Sequence, residues 1–451
     1  MIEGLRPVAP GERVFTLLSY VLMLWASLIV VQLFVLGQAL LPPQGTLTLF
    51  QGAVVILLST LTMAAFMSLN GHAGLRYGIP FCIHVRAAFG IRGARVPEIL
   101  RLIPAIIWCG FGTWIAALSA DGIVQTLTGF SPAGIIYVYF VVLQAVQTWL
   151  AWRGIQTMKW FNICASVALV LIMGYMLFFA LAARGFEVAT SWNAAGDWGW
   201  AFWSGVNASI GILVAVIASA SDMTRYLEVR RSTLWWGHIL GIAPPLFFMM
   251  SLGFVAAVTT GIWDPIQALM ALSPGPLLMV LMLVFVLMAQ FSTNLTVNIM
   301  PPAFIFQELF GISWQRGVII TGIAGTLTFP WVLLESGEAF LGFINYYTAF
   351  FGPLLGCMLA EYWLHGGTVD VEHLYRCDSS SGYWYSGGIN WAGVLSTVWV
   401  AAAVMFAAPE ISWLLGMPLG FLSYAALRRM WYGKSPAQTS TGAEQADASA
   451  T

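Results

Sequence analysis

The chain has 451 residues, of which 59% are hydrophobic and 8% charged, with a net charge of −1 and a mean hydropathy of +0.83. That balance excludes an ordinary soluble domain and gives no reason to expect a nucleic-acid partner; it describes an all-α polytopic membrane protein whose main surroundings are the lipid bilayer. The five cysteines (Cys82, Cys109, Cys164, Cys357 and Cys377) are scattered and odd in number, which supports neither a disulfide frame nor a zinc site.

Met1 to Arg13 reads as a short polar lead without a cleavable signal pattern. Charge-free windows then predict twelve spans, near 17–37, 47–69, 102–127, 132–152, 160–183, 200–221, 235–260, 276–299, 317–334, 339–360, 390–408 and 410–427. Starting inside and alternating, every Lys and Arg except Arg184 falls on one side. Such sorting is the positive-inside pattern, and it predicts an inner-membrane protein with both termini in the cytoplasm.

In chain order, span one carries Gln32 in an otherwise apolar Trp25–Gly37 segment. An amide there is either a functional group or an interhelical hydrogen bond. The Asn70–Arg101 connection is long and arginine-rich. Span three contains Trp108-Cys109-Gly110-Phe111-Gly112-Thr113-Trp114. Trp108 lies about two turns inside Arg101, and the glycines leave room either for a flat ring on the indole or for close helix packing.

Span six reads Gly205-Val206-Asn207-Ala208-Ser209-Ile210-Gly211-Ile212-Leu213 and exits at Asp222 and Arg225. Glycines flanking polar residues weaken a membrane helix, and broken helices at midplane mark secondary-transporter sites. Asp222 and Arg225 read as a helix cap or as a gate latch. Gly261 to Gly275 holds Ile262, Trp263, Ile266, Leu269 and Met270, a pattern for a short surface helix. Span eight ends in Ala289-Gln290-Phe291-Ser292-Thr293-Asn294-Leu295-Thr296-Val297-Asn298. Ala289, Ser292, Thr293 and Thr296 form one helical stripe, readable as helix–helix contact or as neutral oxygens for sodium.

No HExxH, phosphate-cradling loop or Ser/His/Asp arrangement stands out, and the five histidines sit at or beyond span ends. An enzyme is therefore not expected, nor any cofactor other than a coupling ion. The sequons at Asn207 and Asn294 fall inside spans and are discarded. The segment after Pro436 has the composition of a disordered tail.

Taken in order, these motifs are joined by Arg86-Ala87-Ala88-Phe89-Gly90-Ile91-Arg92-Gly93, Ser221-Asp222, Pro302-Ala303, Glu361-Tyr362-Trp363, Asp370 to Tyr375 and Gly387-Gly388-Ile389-Asn390-Trp391. Together they resemble the nucleobase:cation symporter-1 family, most closely its hydantoin permease type. The resemblance implies a leucine-transporter-type fold with two inverted five-helix repeats (17–183 and 200–360) and two C-terminal helices (390–427). Those are flanked by cytoplasmic segments 1–16 and 428–451, and the first and sixth spans are broken. It further implies a sodium site from Ala289, Ser292 and Thr293 with span-one carbonyls, Leu28 named first and Val31 second. Trp108 matches the ring-stacking aromatic and Asn298 a ring-binding amide; Gln32, Gly112, Gly211, Ile212 and Leu213 complete the implied pocket.

Three positions depart from the hydantoin permease type. Gly112 replaces a substrate-binding Gln, Leu213 a stacking Trp and Ile212 a Gly. The fold and transport class are thus expected to carry over while hydantoin itself is not, and a Leu213→Trp, Gly112→Gln double variant is expected to gain hydantoin binding. The resulting expectation is sodium-coupled import of a small planar N-heterocycle by alternating access. A proton-coupled permease and an amino-acid-type transporter of the same fold are the alternatives.

Overall fold

The computed structural model describes residues 5–154, 196–273 and 275–432, with isolated positions between 174 and 192. Among these residues regular structure is helical throughout, apart from two isolated β-bridges. The first span is two helices, α1 (Leu17–Leu28) and α2 (Val31–Leu40), bent by 61° at the break between them. No glycine or proline causes this break. Ile29, Val30 and Val31 are a β-branched run with weak helix preference, and Val30 is extended at φ −136° and ψ 145°.

The long helices follow as α3 (Leu49–Tyr77), α4 (Arg95–Thr128), α5 (Ile135–Trp152), α6 (Trp200–Ala218), α7 (Arg231–Thr260) and α8 (Pro276–Thr293). A π-helical turn, Asn294–Ile299, joins α8 to α9 (Met300–Phe310). Then come α10 (Trp314–Thr326), α11 (Gly337–Leu364), α12 (Trp391–Ala407) and α13 (Ser412–Tyr432). Among the described residues, eight helical stretches are long and apolar enough to cross a bilayer, Pro276–Phe310 taken as one, and the bent α1–α2 pair brings the number up to nine; α12 is a shorter apolar helix. Span five, at 160–183, lies almost entirely outside the described residues.

Several expected boundaries move. Span nine stops at Thr326 and does not run to 334, because Pro330 cannot continue the ladder and opens a separate 3₁₀ turn, Pro330–Leu334. Span six is continuous from Trp200 to Ala218, and its interruption comes at Ser219–Ala220, before the short helix Ser221–Thr224. Gly205 and Gly211 are packing positions instead. A side chain at Gly211 would strike Ile344 and Thr348, at 2.5 and 2.7 Å from the Cβ. The last helix continues to Tyr432 with Arg428 buried, so the C-terminal segment begins later than 428. The Gly261–Gly275 connection does form a helix, Pro265–Leu272. It is capped by the Asp264 carboxylate and buries Ile266 and Leu269 against the protein.

The Asn70–Arg101 connection is mostly helical, with α3 running on to Tyr77 and short helices at Phe81–His84 and Arg86–Phe89. Here the basic segments converge on one end of the molecule. Arg13 donates to the carbonyls of Leu75 and Leu227, Arg76 to that of Gly367, and Arg86 to that of Leu374. Asp222 accepts from the Phe81 amide at 2.8 Å, so this carboxylate caps the neighbouring short helix.

Candidate functional site

The break in the first span exposes the last carbonyls of α1, which have lost their intrahelical donors. Helix α8 supplies them. Ser292 Oγ donates to the Ala26 carbonyl at 2.9 Å and Thr293 Oγ1 to the Ser27 carbonyl at 3.1 Å. The stripe read from sequence therefore does act as helix–helix contact. The same arrangement gathers hydroxyl and carbonyl oxygens at a helix end, the ligand chemistry a hard monovalent cation takes. Ala289 and Leu28 are buried beside it, at 3% and 2% exposure. The carbonyls met by the two hydroxyls belong to the residues just before Leu28. Val31 lies past the break as the first residue of α2.

One turn of α4 carries Trp108 and Gly112. Trp108 is buried and its indole is ringed edge-on by Phe111, Phe343 and Phe340, with centroids 5.3, 5.3 and 6.0 Å away, and by Tyr347 at 6.4 Å. Three of these rings come from α11, which the sequence reading left out. Tyr347 also donates through its hydroxyl to the Gly211 carbonyl at 2.5 Å, so α4, α11 and α6 meet around the indole. Ile212 and Leu213 are buried in the same core. Phe343 and Tyr347 bring aromatic rings to this side of the core, where Leu213 itself is aliphatic.

Gly112 faces α8. A Cβ built there would lie 2.8 Å from Asn294 Oδ1 and 3.0 Å from Gln290 Oε1. The expected gain from Gly112→Gln therefore meets an obstacle, because two amides already fill that space. Asn294 holds the π-helical turn in place: its amide group donates to the Cys109 carbonyl at 3.0 Å and to Gln147 Oε1 at 3.0 Å. Asn298 donates in turn to Asn294 Oδ1 at 2.9 Å. π-helical turns recur at functional sites, and this one sets where Asn298 stands. Gln32, the second residue of α2, donates to Gln290 Oε1 at 3.3 Å. The sequence gives Gln290 and Asn294 no role of their own within the polar stretch of span eight, because helical periodicity does not show an amide facing a glycine on a different helix.

A bundle of apolar helices whose first span breaks beside a polar patch on the eighth, with a buried aromatic opposite, defines a secondary transporter of the leucine-transporter type. The profile described as "Permease for cytosine/purines, uracil, thiamine, allantoin" matches residues 7–425, and the chain belongs to this family, the nucleobase:cation symporter-1 permeases. It is 29% identical over 383 residues to a hydantoin permease of Microbacterium maritypicum, covering 80% of this chain and 76% of that one. It is 27% identical over 418 residues to an allantoin permease of Bacillus subtilis, covering 84% of each. Among solved structures, a nucleobase-cation-symport-1 transporter in a closed conformation with bromovinylhydantoin bound superposes with a TM-score of 0.84 at 25% identity, over 97% of this chain and 98% of that one. A sodium-coupled sialic acid symporter superposes with a TM-score of 0.66 at 12% identity, over 94% and 92%, and shares the fold. The chain is a permease and not an enzyme.

Proposed function

We propose that this protein imports a small planar N-heterocycle, a nucleobase, hydantoin or related ring, by sodium-coupled symport with alternating access. The observation that carries the reading is the meeting of three features at one place. These are the α1–α2 break, the Ser292 and Thr293 hydroxyls on its carbonyls, and Trp108 with Gly112 one turn further along α4. Sodium would sit between Ala289, Ser292, Thr293 and the α1 carbonyls up to Leu28, with Val31 as the second partner across the break. The ring would stack on Trp108, with Gln32, Gly112, Gly211, Ile212, Leu213 and Asn298 as the remaining pocket residues. An ion that holds α1 against α8 stabilises the same state the ring binds, so the two affinities are coupled reciprocally.

The convergence of Arg13, Arg76 and Arg86 on one end supports cytoplasmic termini in an inner membrane. The reading is tested by intrinsic tryptophan fluorescence of the purified protein, titrated with hydantoins, pyrimidines, purines and allantoin in sodium and in choline. Quenching by one ring class, tightened by sodium and lost in Trp108→Phe, is the expected result. No response to any ring in either salt would overturn it.

A further inference from the structure

We propose that Gln290, paired with Gln32, reads a lactam edge of the substrate, the adjacent ring N–H and C=O of the bound heterocycle. This inference rests on the transport reading above and names the ring face that the site takes.

Both side chains are buried, Gln32 at 4% exposure and Gln290 at 0%. They share a single hydrogen bond, from Gln32 Nε2 to Gln290 Oε1. The other ends, Gln32 Oε1 and Gln290 Nε2, have no hydrogen-bond partner. Buried polar atoms are nearly always satisfied, and each exception asks for an explanation. The nearby amides show the contrast. Asn294 and Asn298 are engaged with each other, and Asn294 also with Gln147 and the Cys109 carbonyl. The Gln32–Gln290 pair, by contrast, keeps one free acceptor beside one free donor. Turning both amides over exchanges their roles and leaves the same complement of one free acceptor and one free donor.

The position suits a substrate contact. Gln32 is the second residue after the break. Gln290 lies against Gly112, one turn from Trp108, where its Oε1 occupies the space that a side chain at 112 would enter. A ring stacked on the indole would bring its edge to this pair. A lactam answers both free atoms at once, its N–H donating to Gln32 Oε1 and its C=O accepting from Gln290 Nε2. A ring methylated on that nitrogen loses the donor and adds bulk. A site built to hydrogen-bond one edge discriminates steeply against ligands that lack it.

The test uses the full-length purified protein in sodium, with quenching of tryptophan fluorescence as the readout. Uracil, hydantoin and allantoin are titrated beside derivatives methylated at each ring nitrogen in turn, on wild type, Gln290→Leu and Gln32→Met. For at least one parent ring, methylation at one nitrogen is expected to weaken wild-type binding tenfold or more. Gln290→Leu is expected to weaken the parent by a similar factor while binding the methylated ring no worse than wild type does. Should neither variant purify, the wild-type comparison decides alone: equal affinity of every parent ring that binds and all its methylated forms overturns the inference and leaves the transport reading standing. So does unchanged parent affinity in Gln290→Leu. Absence of binding by every ring to wild type overturns both readings together.

Discussion

Thr293 Oγ1 donates to the Ser27 carbonyl at 3.1 Å, tying α8 to the last turn of α1 across 266 positions of sequence. A hydroxyl has one proton and two lone pairs, so the group that now donates to a carbonyl can turn and give a lone pair to a cation. Thr293→Ala removes that oxygen without adding bulk. Ring binding in sodium is expected to fall toward its value in choline. Coupling of about 5- to 150-fold is usual between linked sites, and the measured sodium-to-choline affinity ratio should approach 1. A variant that keeps the full ratio places the ion elsewhere.

Trp108 is expected to matter through stacking more than through packing. Its ring is enclosed by Phe111, Phe340, Phe343 and Tyr347, so Trp108→Phe keeps an aromatic in a braced position. An offset aromatic pair is worth about 1 kcal/mol beyond its area, or roughly fivefold in affinity. The Phe variant should lose most of the fluorescence signal yet bind, by uptake competition, within about that factor. Trp108→Ala should lose considerably more. Equal affinities for wild type and Trp108→Ala would show that the ring stacks elsewhere.

How far the sequence led depended on how local each signal was. Ser292 and Thr293 are hydroxyls in an apolar run, and Trp108 is a large ring two turns inside an arginine, so both stood out from their own neighbours. Gln290 sits in the same run, but its partner Gln32 is 258 positions away, and its significance lies in a glycine on α4. Phe343 and Tyr347 are ordinary residues for a span; only the packing of α11 against α4 gives them a role. The break in the first span comes from Ile29 and Val30, which are also unexceptional in a membrane helix. In span six the reverse occurred. Gly205 and Gly211 looked like helix breakers, yet they admit close neighbours, Leu40 and Leu47 at the first and Ile344 and Thr348 at the second, and the helix runs through both. Span nine is shorter than its apolar run, because hydropathy does not register the missing N–H of Pro330.

The half-helix after the break is seated by two glycines. A Cβ at Gly37 would lie 2.5 Å from the Met250 carbonyl oxygen, and one at Gly253 would overlap the Phe34 carbonyl. Backbones meet here with no side chain between them, as small residues allow in membrane helices. Gly253→Val must push α2 off α7, and overpacking of this kind costs about 1–3 kcal/mol. A lower melting temperature is expected together with weakened sodium dependence, since moving α2 also moves Gln32 and the α1 carbonyls. Gly342→Val is the matched control, because a Cβ there meets nothing within 4 Å. Equal behaviour of the two variants would remove any special role for the α2–α7 contact.

At the opposite end of the bundle a buried ion pair fixes the C-terminal helices. Glu361 on α11 and Arg428 on α13 approach to 3.4 Å with side chains 4% and 5% exposed. Tyr424 donates to Glu361 Oε2 at 2.8 Å and accepts from Asn390 at 3.0 Å. Removing one partner of such a pair leaves a buried charge and typically costs about 3–5 kcal/mol, whereas replacing both removes the penalty along with the attraction. Arg428→Met is therefore expected to lower the melting temperature sharply, and Glu361→Gln in the same background to recover part of the loss, a non-additivity that residues sharing one network should show. Ring affinity per folded molecule should stay close to wild type in Arg428→Met, in Glu361→Gln alone and in the double variant, because the pair lies apart from Trp108 and Ser292. Additive losses in the double variant would mean that Arg428 acts on its neighbours Tyr385 and Tyr432, which its guanidinium overlies at 5.4 and 5.6 Å, independently of Glu361.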